Sequence, residues 1–164
     1  MKIVEKEGNS IVKFDNPSVA IICYDEDQSG VISTIGVVKE TNSLFSEGFS
    51  ESLVMGMIED NDGSLLERAM LLLKKEASFE ITDVTKWSYL GEMHLSKISP
   101  DSIYLFSVNV SGSTPQVSSE DEKTTAFSMI PAQDIMKIGD AVLLASFFKL
   151  FMNVYSRDFK PVTI

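Results

Sequence analysis

The residues of this chain whose type and spacing invite chemistry are carboxylates. Glu59, Asp60 and Asp62 crowd one short loop, and Glu76 follows on the helix predicted after it. Such a group suits Mg²⁺, a hard ion that wants near-octahedral oxygen ligands from carboxylates, waters and substrate phosphates. A second acidic run, Glu120-Asp121-Glu122, lies beside a Gly/Ser/Pro loop and on its own reads as a solvated surface. His94 is the only histidine. Metal sites draw on several ligands, so it reads as a surface or core residue. Cys23 is the single cysteine, set in an apolar run, which excludes an internal disulfide and makes it a buried small side chain. No nucleophile motif, phosphate-binding glycine loop or dinucleotide turn is present.

Composition narrows the partners. The 164 residues are 44% hydrophobic, enough for one domain with a sizeable core. The reading is a single domain over 1–164, with N-terminal strands in 1–16, a core over 17–153 and a tail over 154–164. A formal net charge of −10 opposes attraction to nucleic acid or an anionic membrane surface. Arginine is scarce, with only Arg68 and Arg157. A phosphate clamp would therefore need lysine and backbone N–H groups. Aromatic residues are not interleaved with basic ones, so no nucleic-acid surface is expected. The polar N-terminus does not read as a secretory signal and no apolar run reaches membrane-spanning length, so a cytoplasmic protein is expected.

The elements that must position the carboxylates centre on Gly56 to Phe79, which reads as a strand end, a tight acidic loop and one helix. Ser64 with Glu67 is a capping box, placing the helix start near 64. Leu65, Leu66, Ala69, Leu72 and Leu73 recur at helical spacing. Before this stretch, short strands are predicted at 2–6 and 10–14. A buried strand follows at Ser18–Cys23, then an acidic turn over Tyr24–Gly30, a strand at Val31–Val38 and a single strand over Phe49–Met57. After it come Trp87–Met93 with a bulge at Gly91, Ile103–Val110, a strand near 124–129, a short helix from Pro131, and a last helix from Ala141 to about Tyr155 capped by Asp140.

The Gly56–Phe79 stretch resembles the signature box of the Nudix hydrolases in a worn form. That box runs glycine, then a glutamate some six residues on, then arginine-glutamate-apolar-x-glutamate-glutamate-x-glycine on the helix. Gly56 matches the first glycine, and the lone glutamate falls at Asp62 or Gly63 with one residue of slack. Ser78 stands for the last glycine, Glu76 and Lys75 for the paired glutamates, and Leu71-Leu72 for arginine-glutamate. Of three helix carboxylates only Glu76 survives. Residues 72 and 76 share a helix face. In the family both are acidic and hold Mg²⁺ against a diphosphate, so the resemblance implies a metal cluster that here is absent or very weak.

The order of landmarks over nearly the whole chain is similar to the ADP-ribose pyrophosphatase branch: Tyr89-Leu90-Gly91-Glu92, Ile98-Ser99-Pro100, Tyr104-Leu105-Phe106 and Gly139-Asp140-Ala141. The implied fold is α/β, an α/β/α sandwich around a mixed sheet with a small N-terminal sheet. The branch's arginine-rich stretch corresponds to Val37-Val38-Lys39-Glu40-Thr41, which has no arginine. The resemblance also makes Glu122 or Glu120 a candidate for the family's loop glutamate, a catalytic base or metal ligand.

Three functions are weighed. The first is a catalytically inactive Nudix-fold protein acting as a binding or assembly module, which the divergence extends to a phage component, with no cofactor. The second is a Mg²⁺-dependent pyrophosphohydrolase of nucleoside diphosphate derivatives such as ADP-ribose, using Glu59, Asp60, Asp62, Glu76 and Glu122 in a shifted site. The third is a sensor that binds a nucleotide-like molecule in a pocket with Trp87 or Tyr104. The last helix is apolar nearly all round over 141–152, so one face packs on the sheet and the rest needs cover. A homodimer or larger assembly through the N-terminal strands and this helix would supply it. So would the tail Asn153–Ile164 folding back.

Overall fold

Five consecutive apolar residues, Val19 to Cys23, are each fully buried at the centre of strand β3 (Ser18–Glu26). Successive side chains on a strand point to opposite faces, so such a run must be covered on both sides. Val19, Ile21 and Cys23 enter one core, and Ala20 and Ile22 enter another. The same alternation marks β8 (Ser102–Asn109), which runs parallel to β3 from Ser18↔Ile103 to Tyr24↔Asn109. Phe106 and Val108 join the first core, Ile103 and Leu105 the second. This computed structural model describes residues 2–6, 9–13, 17–41, 48–59, 61–94, 102–116 and 125–156.

The remaining elements follow from the need to cover those faces. A two-stranded hairpin comes first, β1 (Lys2–Lys6) with β2 (Asn9–Lys13). Then come β3, β4 (Ile32–Thr41), β5 (Phe49–Ser52) and β6 (Val54–Met57). Helix α1 (Leu65–Leu72) widens into a π-helical turn over Leu73–Ala77. After it lie β7 (Trp87–His94), β8, β9 (Thr125–Pro131), a 3₁₀ turn at Ala132–Lys137 and α2 (Ala141–Tyr155). Among the described residues the main sheet has seven strands, in the order β5-β4-β3-β8-β7, with β6 also on β3 and β9 also on β4. Helix α1 and its π turn contribute Ala69, Leu72, Leu73 and Ala77 to the first core. Helix α2 contributes Leu143 and Leu150 to the second, both fully buried and each worth about 1.5–3 kcal/mol. The expected α/β/α sandwich around a mixed sheet is the architecture observed.

Three local expectations are corrected. The single strand over Phe49–Met57 is two strands. β5 pairs with β4 (Val38↔Ser52), β6 pairs with β3 (Ile21↔Val54), and buried Leu53 separates them. Strands β3 and β4 are paired only from Tyr24↔Ile35 to Glu26↔Ile32, with an irregularity at Asp25 and Glu26. The chain therefore switches partner at Leu53. The acidic turn is shorter than expected, because β3 runs on to Glu26. Asp27 closes the turn by accepting from the N–H of Ser29 (2.8 Å) and Val31 (3.1 Å). The helix expected at Pro131 is a 3₁₀ turn that starts one residue later.

Two expectations hold in detail. Gly91 sits at φ +97° where the β7–β8 register jumps from Tyr89↔Phe106 to Gly91↔Leu105, a bulge suited to glycine. The Lys149 ammonium of α2 donates to the carbonyls of Leu90 (3.3 Å) and Glu92 (3.2 Å), tying the helix to that bulge. At α1, Ser64 Oγ accepts from the Glu67 N–H (3.2 Å), and Glu67 Oε2 accepts from the Ser64 N–H (2.6 Å). The Ser64 backbone and hydroxyl hold the Glu67 carboxyl below the usual carboxylate range. A depressed folded-state pKa gives stability that is present above the unfolded value and lost as pH falls through the folded one. Glu67→Gln should therefore lower the melting temperature at pH 7, and that deficit should shrink steadily in melts taken at pH values descending below the ordinary glutamate range.

Candidate functional site

The loop between β6 and α1 is built around one arginine. Residue 68 lies four beyond the N-cap Ser64, one helical turn into α1, so its side chain reaches back over the loop. Arg68 Nη2 donates to the Met57 carbonyl (2.6 Å) and lies 3.3 Å from Glu59 Oε1. Nη1 donates to Asp62 Oδ1 (3.3 Å), and Nε lies 3.3 Å from Asp62 Oδ2. The same Oδ2 accepts the Glu59 N–H at 2.6 Å. The side chains of Arg68 and Asp62 are each 11% exposed, whereas Glu59 is 65% exposed. The Arg68–Asp62 contact, one hydrogen bond from Nη1 and an ion-pair contact at Nε, is therefore the stronger half of the cluster, and water screens the Glu59 contact.

Behind the loop, hydrocarbon meets backbone. Leu72 is 4% exposed, and a Cβ added to Gly56 would stand 2.5 Å from its Cδ2. Glycine is thus what lets β6 pass under α1. One turn further on, the Glu76 side chain is partly exposed and lies 3.6 Å from the Lys75 ammonium. The helix then stops at Ser78, whose φ of 61° and ψ of 20° are left-handed. That conformation suits the glycine which the resembled box carries at this position.

The other sequence candidates lie apart from this loop. Trp87 is buried at the start of β7, and its indole N–H donates to the Ile81 carbonyl (3.1 Å). Tyr104, in the middle of β8, is half-buried and packs on the same core. His94 is exposed, 3.9 Å from Glu92. Burial pushes the Cys23 thiol far up, so it is inert at neutral pH. Asp60, Glu120, Asp121 and Glu122 lie outside the described residues. Of the candidates among the described residues, then, only Glu59 and Asp62 are brought together. Among the described residues no three His, Cys, Asp or Glu side chains converge as a metal-binding group. An open cleft of about 270 Å³ lies elsewhere, lined by Phe49, Glu51, Lys137 and the Ile138–Asp140 approach to α2. Its one aromatic residue, Phe49, carries the Lys39 ammonium 3.4 Å above its ring.

Arg68 is the residue that sequence reasoning passed over. Its signal was present: an arginine one turn into a helix whose preceding loop holds Glu59 and Asp62. No family model matches the chain, and no curated protein matches it in sequence. In three dimensions it is similar to the crystal structure of an ADP compounds hydrolase, with a TM-score of 0.61 at 15% identity. The match covers 85% of this chain and 75% of that one, and it supports a Nudix-like fold.

The Gly56–Leu72 contact makes a direct expectation. Gly56→Ala should cost about 1–3 kcal/mol by overpacking, and Leu72→Ala about 2–5 kcal/mol. In urea unfolding the double variant should lose less than the sum, with a coupling of about 0.5–3 kcal/mol. Strict additivity would mean that the two residues do not press on one another.

Proposed function

We propose that this chain is a Nudix-fold protein that acts by binding or assembly rather than by hydrolysis. One observation carries the reading: Leu72, at a box position where the resembled hydrolases place a helix carboxylate, is buried against Gly56. A hydrocarbon side chain offers no oxygen to a hard cation. A carboxylate there would be buried without a partner, at a cost of several kcal/mol. The same box position therefore serves packing. Glu76 keeps its place beside Lys75, with Leu72 rather than a carboxylate one turn before it.

The alternative is Mg²⁺-dependent pyrophosphohydrolysis of nucleoside diphosphate derivatives such as ADP-ribose. Its support is the fold shared with a structure named as an ADP compounds hydrolase. A phosphate-release assay on ADP-ribose and a panel of nucleoside diphosphate compounds, with Mg²⁺ or Mn²⁺, separates the two. We expect no turnover at high protein concentration. Turnover that disappears in Glu76→Gln would overturn the binding reading in favour of a shifted metal site.

Assembly in this proposal runs through a second copy of the chain, by way of α2 and the β1–β2 hairpin. Leu143, Ser146 and Leu150 face the sheet, while Phe148 is 64% exposed and Phe151 and Tyr155 share its exposed stripe. The Phe151 and Tyr155 rings lie 4.7 Å apart, and the Tyr155 hydroxyl accepts the Ile32 N–H at 2.8 Å. That bond orients the stripe at its C-terminal end. A tail folding back over the helix beyond Ser156 falls outside the described residues. Light scattering behind size exclusion should give a dimer or larger, and Phe148→Ser with Phe151→Ser should shift it to monomer. A monomeric wild-type chain at high concentration would remove the assembly half of the proposal.

A further inference from the structure

The outward stripe of α2 has the spacing of a helix seam. Ala141, Leu144, Phe148, Phe151 and Tyr155 follow one another at steps of three and four. At about 3.6 residues per turn they fall within an arc of about 80°. Leu144 is partly exposed and the other four are exposed, while Leu143, Ser146 and Leu150 are buried on the opposite side. Such steps let a second helix lay its side chains between them at a shallow crossing. The stripe also carries no charge. The one charged side chain of α2 is Lys149, and its ammonium donates to the Leu90 and Glu92 carbonyls of the sheet. Two copies of a chain with a net charge of −10 repel one another, so a neutral stripe is where they can meet.

Given assembly through a second copy, as proposed above, we infer that α2 packs antiparallel on the α2 of that copy, about a two-fold axis through its Phe148–Phe151 turn. Side-chain size along the helix decides the direction. Small residues, Ala141 and Ala145, stand at its N-terminal end, and the rings of Phe148, Phe151 and Tyr155 toward its C-terminal end. A parallel pair would set ring on ring at one end and alanine on alanine at the other, which leaves a wedge-shaped gap. The antiparallel pair sets Phe148 of each copy against Phe151 of the other, and Leu144 against Tyr155. One face then serves both copies, as a two-fold interface requires, and its aromatic centre is the part that excludes water. Contacts within the chain hold the rings in place beforehand. The Phe151 ring lies 4.7 Å from that of Tyr155, whose hydroxyl accepts the Ile32 N–H, so less side-chain freedom is lost on pairing.

The test measures spin-label distances in the full chain, at a concentration where light scattering gives a dimer. Cys23 is fully buried and takes no label. Labels on Ala141→Cys should lie about 25 Å apart across the pair and labels on Ser156→Cys about 20 Å apart, from the helical rise on either side of the axis. When chains labelled at 141 are left to exchange with chains labelled at 156, a new separation of about 10 Å should appear, the spacing of packed helices. A parallel pair gives the reverse, about 10 Å for each label alone and no new short distance on mixing. A dimer with that reversed pattern, or with no short distance in any sample, would sink the antiparallel seam and leave assembly to run through the hairpin. A monomer, as a tail folded over the stripe would give, sinks seam and assembly together.

Discussion

Burial of β3 on both faces is the constraint from which the rest of the molecule follows. A strand with Val19 to Cys23 fully enclosed needs a layer above and a layer below. Helix α1 supplies one and α2 the other. Because β3 and β8 are parallel, the chain has to leave the sheet and return between them. The return path carries β4, β5, β6, α1 and β7, and with them the acidic loop. The loop's position is a consequence of covering β3, since β6 pairs directly with its first half.

The same packing shapes the chemistry available at the loop. Helix α1 lies so close to β6 that a side chain at residue 56 would press on the Leu72 methyls. Close helix–strand contact and a carboxylate cannot share that spot unless the carboxylate has a cation to meet. Here the positive charge is placed elsewhere: Arg68, on the side of α1 facing the loop, gathers Glu59, Asp62 and the Met57 carbonyl. Apolar packing thus lies behind the loop and an ion cluster in front of it.

On the opposite face, α2 does two jobs with one helix. Its inner residues complete the second core, and Lys149 reaches the β7 bulge at Gly91, supplying a charged donor to two strand carbonyls. Its outer residues, Phe148, Phe151 and Tyr155, are aromatic and exposed. A helix that is apolar on both sides binds strongly in one direction and leaves a surface in the other.

Local signals were readable from residues alone wherever the physics is local. The Ser64–Glu67 box, the Asp140 cap, the Gly91 bulge and the two-faced burial of Ser18–Cys23 depend on neighbours within a few positions, and all four hold. Long-range pairing was not readable in that way. The split of Phe49–Met57 at Leu53 exists because β3 and β4 diverge, which no residue of the segment announces. At the site, the sequence by itself determined which oxygens crowd the loop and that Leu72 could not be one of their partners. Only the tertiary structure decided that Glu59 and Asp62 are held by Arg68 and that Leu72 is pressed on Gly56. The direction a side chain takes from a helix is set by what lies across from it, and that is known only once the strand beneath is in place.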